Sequence, residues 1–128
     1  MIALDTNVLV RYLVDDDPEQ TRRAAKLIES GTEAHFVAHI VLCELVWVLG
    51  SSYKRPKTDI VAALRGLLEA IQLEIEAPEL AHRALARFES GSAGFADYLI
   101  EERARTAGCE RVATFDKALL REPSFFSP

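Results

Sequence analysis

The sequence predicts an α/β protein, a three-layer sandwich in which a central, mainly parallel β-sheet is flanked by helices. Three observations carry that expectation. Short apolar runs of strand length alternate with longer segments of helical period. The chain has 128 residues, 49% of them hydrophobic, which is one ordinary domain over residues 1–128 with enough apolar matter for a core. No internal repeat, low-complexity tract or linker interrupts it.

Each element has its own signal. Met1 to Leu4 is an apolar run ending at Asp5 and reads as a buried strand. Asn7 to Val14 is helical, with Val8, Leu9, Tyr12 and Leu13 apolar. Pro18 opens a helix through Ile28, with Thr21, Ala24, Ala25, Leu27 and Ile28 on its inner stripe and Gly31 beyond its end. Ala34 to Val37 is a second strand, and His39 to Leu49 an apolar helix stopped by Gly50. Thr58 is expected to cap the next helix, which carries Ile60, Leu64, Leu67, Leu68 and Ile71 on one face. Leu73 to Ile75 is a third strand; Pro78 starts a helix to Phe88; Ser90 to Gly94 is a loop. Phe95 to Thr106 is helical, with Gly108 just past its end. Arg111 to Thr114 is a fourth strand, followed by Asp116 and a helical turn, and Phe125-Phe126 adds an edge strand.

The balance of 15 Lys+Arg against 20 Asp+Glu gives a formal charge of −5. That excludes a generally basic nucleic-acid coat and leaves room for a nucleic-acid enzyme with a local basic rim. The N-terminus has no basic stretch followed by an apolar one, and His35 to Tyr53 is interrupted by Glu44, so neither a signal peptide nor a membrane span is read. Cys43 and Cys109 have no zinc-type spacing and are expected to be buried in a reducing cytoplasm.

Most of the acids, Glu102 among them, have polar neighbours or lie near helix ends and read as solvated charge. Four do not. Asp5 ends an apolar strand; Glu44 has Ile40, Val41, Trp47 and Val48 at three and four residues; Asp97 opens an apolar helix face; Asp116 follows Val112-Ala113-Thr114-Phe115. An uncompensated buried carboxylate costs several kcal/mol, roughly. Each acid alone is open to pairing with an arginine at the core edge. The set, two of whose members end strands and so point to the carboxyl edge of the sheet, is better explained by a shared cation. Carboxylates without clustered His or Cys select Mg²⁺ or Mn²⁺, and such a site suits phosphoryl chemistry. His35, His39 and His82 are scattered, and His39 is expected at a helix start or the surface. No glycine-rich phosphate loop or nucleophile elbow is present. A covalent Asp phosphatase of the haloacid type wants a second Asp where this chain has Asn7.

Four segments, LDTNVLVRYL, CELVWVL, FADYLI and GCERVATFDKAL, together span nearly the whole chain. With them the sequence resembles PIN-domain ribonucleases, most closely the VapC-like toxins of type II toxin–antitoxin pairs. The resemblance implies metal-dependent cleavage of RNA with Asp5, Glu44, Asp97 and Asp116 as catalytic acids. It implies Asp5, Asp97 and Asp116 as ligands of Mg²⁺ or Mn²⁺, with Glu44 acting through a bound water or orienting the nucleophile. Thr6, Asn7 and Thr114 match small polar positions that orient the carboxylates or the phosphate, and they serve equally as turn and cap residues. Many relatives carry a further acid where this chain has Gly94, which leaves the number of metals open.

Arg11, Lys54, Arg55 and Lys117 are the candidate RNA contacts, and Tyr12, Tyr53 and Tyr98 are candidate stacking partners for bases, with Tyr12 and Tyr98 fitting helix packing as well. The resemblance also implies a cytoplasmic homodimer inhibited by a small cognate antitoxin. Two other readings compete: a non-catalytic PIN-like RNA- or protein-binding module whose acids hold a structural cation, and a metal-dependent phosphatase.

Overall fold

In the computed structural model, which describes residues 1–128, helices alternate with short parallel strands, as the α/β reading requires. The chain forms two units, Met1–Pro78 and Glu79–Pro128.

The first unit runs β1 (Ile2–Ala3), α1 (Thr6–Leu13), α2 (Pro18–Glu29), β2 (His35–Val37), α3 (His39–Ser51), α4 (Lys57–Glu69) and β3 (Leu73–Ile75). Its strands form one parallel sheet in the order β1-β2-β3, with Ile2 opposite His35 and His35 opposite Leu73. The β1 strand is shorter than expected, and Ile2 and Ala3 are exposed on it. The apolar run contributes one core residue, the buried Leu4, whose N–H donates to Phe36 at 2.9 Å. Leu9, Leu42, Leu45 and Leu64 are completely buried and tie α1, α3 and α4 to the core. Pro18 sits at the start of α2 as predicted, with the Asp17 side chain accepting from Gln20 N at 3.2 Å.

Several local expectations are corrected. The α4 helix starts at Lys57 behind Pro56, and Thr58 makes no cap. Ile71 is 92% exposed, because Ala70 leaves helical geometry and turns it off the buried stripe. Gly50 lies inside α3, which continues to Ser51. His39 starts α3, as expected, and is buried there rather than at the surface, its N–H donating to Glu76 Oε1 at 2.7 Å. Cys43 is half-buried and Cys109 exposed, so neither is a core residue.

The second unit contains α5, which starts at Pro78 and ends at Ser90, α6 (Phe95–Thr106), β4 (Val112–Ala113), a 3₁₀ turn (Leu119–Arg121) and β5 (Phe125–Phe126). The β4 and β5 strands pair in parallel, Val112 opposite Phe125. The Phe88 and Phe95 rings meet edge to face with centroids 6.2 Å apart. Gly108, at φ +94°, ends α6 in the left-handed conformation that glycine adopts without strain. No helix is long and apolar enough to cross a membrane.

Candidate functional site

The first unit holds Asp5, Thr6, Asn7 and Glu44. Asp5 stands where β1 turns into α1 and caps that helix, its Oδ1 accepting from Thr6 N at 2.8 Å. Thr6 is buried, and its hydroxyl donates to Glu44 Oε1 at 3.0 Å across from α3. A single threonine therefore joins Asp5 to Glu44, through its backbone on one side and its hydroxyl on the other. Asn7 is exposed in the first turn of α1.

The second unit holds Asp97, Thr114 and Asp116. Asp97, in the first turn of α6, accepts from Gly94 N at its Oδ2, at 2.9 Å. Asp116 follows β4; its N–H donates to Thr114 Oγ1 at 3.0 Å, and its Oδ1 accepts from Ala118 N at 2.9 Å. The three acids assigned to a metal thus share a local device. Asp5, Asp97 and Asp116 each have one carboxylate oxygen held by a nearby backbone N–H. Such a hydrogen bond fixes a rotamer and leaves the other oxygen for a cation. In neither unit do three or more His, Cys, Asp or Glu side chains gather into a set that would hold a metal ion.

The four acids do not sit in the apolar surroundings that their sequence neighbours suggest. Asp5, Glu44 and Asp116 are exposed and Asp97 is half-buried. Around Glu44 the reason is that α3 buries one face only: Val41 and Leu45 are inside, whereas Ile40 and Trp47 are 70% and 69% exposed. Beside Asp116, Phe115 is exposed as well.

The buried carboxylates are others. Glu101 and Glu102, on α6, are 3% and 2% exposed. Glu102 is enclosed by Arg83 at 2.9 Å and Arg105 at 3.6 Å, and Glu101 pairs with Arg87 and, at 2.9 Å, with Arg105. Arg87 also approaches Glu122 at 3.7 Å and stacks 4.6 Å from the Tyr98 ring centroid. The signal lay in the sequence as Arg83 and Arg87 four apart on α5, and Glu101 and Arg105 four apart on α6.

The candidate RNA contacts differ in their freedom. Arg11 is already engaged: its Nε donates to Gln20 at 2.6 Å, and its Nη1 to Asp16 at 3.0 Å and Tyr53 at 3.1 Å. The Tyr53 hydrogen bond and the charge of Asp16 raise the Arg11 pKa above its ordinary value. Lys54, Arg55 and Lys117 are exposed, and Lys54 holds a left-handed φ of 54°. The three tyrosine hydroxyls all donate to carboxylates, Tyr12 to Glu29, Tyr53 to Asp16 and Tyr98 to Glu122, each at 2.8 Å.

The family model of the PIN domain matches residues 2–123. No curated protein matches the chain. Six solved chains do. One is VapC20 of Mycobacterium tuberculosis, described as a sarcin-ricin loop cleaving toxin. It is 19% identical, with a TM-score of 0.48 over 97% of this chain and 96% of that one. Another is a toxin–antitoxin complex from Klebsiella pneumoniae, 18% identical, with a TM-score of 0.37 over 100% of this chain and 98% of that one.

Proposed function

The chain belongs to the PIN domain family, and from that membership we propose that it is a divalent-metal-dependent endoribonuclease, the toxin of a toxin–antitoxin pair. The observation that carries the reading is the family match over residues 2–123, which takes in Asp5, Glu44, Asp97 and Asp116; the reading takes residues 1–128 as one PIN-like domain.

The reading assigns Mg²⁺ or Mn²⁺ to Asp5, Asp97 and Asp116, whose hard oxygen donors suit either ion. Their backbone hydrogen bonds support it, because a ligand held in one rotamer loses less entropy when a cation arrives. When bound, the cation polarises the phosphodiester and lowers the pKa of attacking water. Glu44, held by Thr6, orients the nucleophile or an intervening water. Thr6 and Thr114 align the acids, and Asn7, exposed beside Asp5, is available to the scissile phosphate. Lys54, Arg55 and Lys117 supply phosphate contacts, and Arg11 joins them only by leaving Asp16. The reading includes a cytoplasmic homodimer and a small antitoxin; exposed Ile40 and Trp47 on α3 offer apolar area for such contacts.

The test is cleavage of RNA by the purified full chain with Mn²⁺ or Mg²⁺, with EDTA, and by Asp5→Ala and Asp97→Ala. Cleavage should require the metal and vanish in both variants. Cleavage that survives EDTA and both substitutions overturns the reading. Intact RNA together with binding that persists in Asp5→Ala identifies a non-catalytic module instead.

A further inference from the structure

Tyr98 does more than fill the core of its unit. It is 1% exposed, and a buried hydroxyl is costly unless it is hydrogen-bonded. Its hydroxyl has two partners: it accepts from Ala93 N at 3.3 Å and donates to Glu122 Oε1 at 2.8 Å. Glu122 is fixed in turn by Arg87, whose guanidinium lies over the Tyr98 ring. The loop backbone presses directly on this hydroxyl. A Cβ at Gly91 would overlap it and would also stand 2.8 Å from the Arg87 carbonyl oxygen.

The geometry then repeats one residue along. Ala93 N–H is held by Tyr98, and the next amide, Gly94 N–H, is held by Asp97. Two successive amides are bound by two successive side chains of the first turn of α6. Losing the Tyr98 hydroxyl would strand the Ala93 N–H and free the peptide that leads into Gly94. The hydrogen bond that sets the Asp97 carboxylate would then lose its fixed donor.

We propose that Tyr98, anchored by Glu122, is a positioning residue for the Asp97 carboxylate, acting through the Ala93–Gly94 backbone. The proposal rests on the reading of Asp97 as a metal ligand. It requires energetic coupling between Tyr98 and Asp97, because the effect of one reaches the metal through the other. A tyrosine that merely fills space would show independent effects.

The experiment is a double-mutant cycle in the full chain with Tyr98→Phe, Asp97→Asn and the pair. Affinity for Mn²⁺ alone is read from the resonance of the free ion, and amide exchange at Ala93 and Gly94 is followed in metal-free protein. Tyr98→Phe keeps the ring and should weaken Mn²⁺ binding about tenfold. It should also speed exchange at both amides and cost nothing further once Asp97 is Asn. Fully additive losses overturn the proposal, as does wild-type Mn²⁺ affinity in Tyr98→Phe when Asp97→Asn is weakened. Wild-type affinity in Asp97→Asn instead overturns the metal reading itself, so the two failures are distinguishable. Glu122→Gln, which keeps an acceptor for the Tyr98 hydroxyl, should stay closer to wild type than Tyr98→Phe; the reverse order overturns the role given to the hydroxyl.

Discussion

Thr6 donates its hydroxyl to Glu44 Oε1 at 3.0 Å while its own N–H donates to Asp5 Oδ1 at 2.8 Å. One buried residue, through its backbone N–H and its hydroxyl, thus sets two of the four proposed catalytic acids, which are 39 residues apart in sequence.

Thr6→Val removes the hydroxyl and keeps the shape. Glu44 is exposed and rehydrates, so the loss of stability should stay near or below about 1 kcal/mol. RNA cleavage should fall by about tenfold, with recovery in Thr6→Ser. Denaturant unfolding and initial cleavage rates separate the two effects.

The ion network of the second unit should behave in the opposite way, affecting stability rather than chemistry. Arg87→Ala leaves the buried Glu101 with Arg105 alone and deprives Glu122 of its cation. Losing one of the two cations that compensate a buried carboxylate should cost up to about 3 kcal/mol. By contrast, removing the solvent-facing Arg11–Asp16 pair should cost far less. Urea unfolding of the two variants measures the difference.

Alkaline pH should act through Tyr12. Its hydrogen bond to Glu29, with desolvation adding to it, raises the Tyr12 pKa above the ordinary tyrosine value. The folded chain therefore holds this proton more tightly than the unfolded one. The contribution is complete below the unfolded pKa of about 10 and declines as pH rises through the folded value. Tyr12→Phe should flatten that part of the stability profile, and phenolate absorbance should show one fewer late-titrating tyrosine.

Trp47 should be dispensable for folding. It is largely exposed on α3, so Trp47→Ser should change stability by no more than about 0.5 kcal/mol. In the proposed homodimer, apolar side chains on this face contribute to association, and sedimentation of Trp47→Ser together with Ile40→Ser should shift toward the monomer. An unchanged dimer would place the interface elsewhere.

Strand and helix alternation was legible because it rests on local period. Pro18 and Gly108 marked a helix start and a helix end for the conformational reasons that make them reliable signals. Residues whose role depends on which face a helix buries were not legible. The spacing of Ile40, Val41, Trp47 and Val48 around Glu44 reads as enclosure, yet a helix packed on one side leaves Ile40 and Trp47 in solvent. Ile71 continues an apolar spacing in sequence but follows the last helical residue and points outward.

By itself the sequence determined the α/β class and the order of elements, because these depend on residue type and short-range spacing, and it offered Asp5, Glu44, Asp97 and Asp116 as candidates. Only the tertiary structure decided which carboxylates are buried. Glu101 and Glu102 lie inside because arginines from two helices, Arg83 and Arg87 on α5 and Arg105 on α6, enclose them. Burial of a charge depends on compensation, and the α5 arginines that supply part of it here are 19 and 14 residues from their partners, so the four-residue spacings within each helix do not by themselves report it. The acids read as hidden are accessible, each metal-assigned one aligned by a neighbouring backbone N–H, as a carboxylate must be if it is to meet a cation and a phosphate.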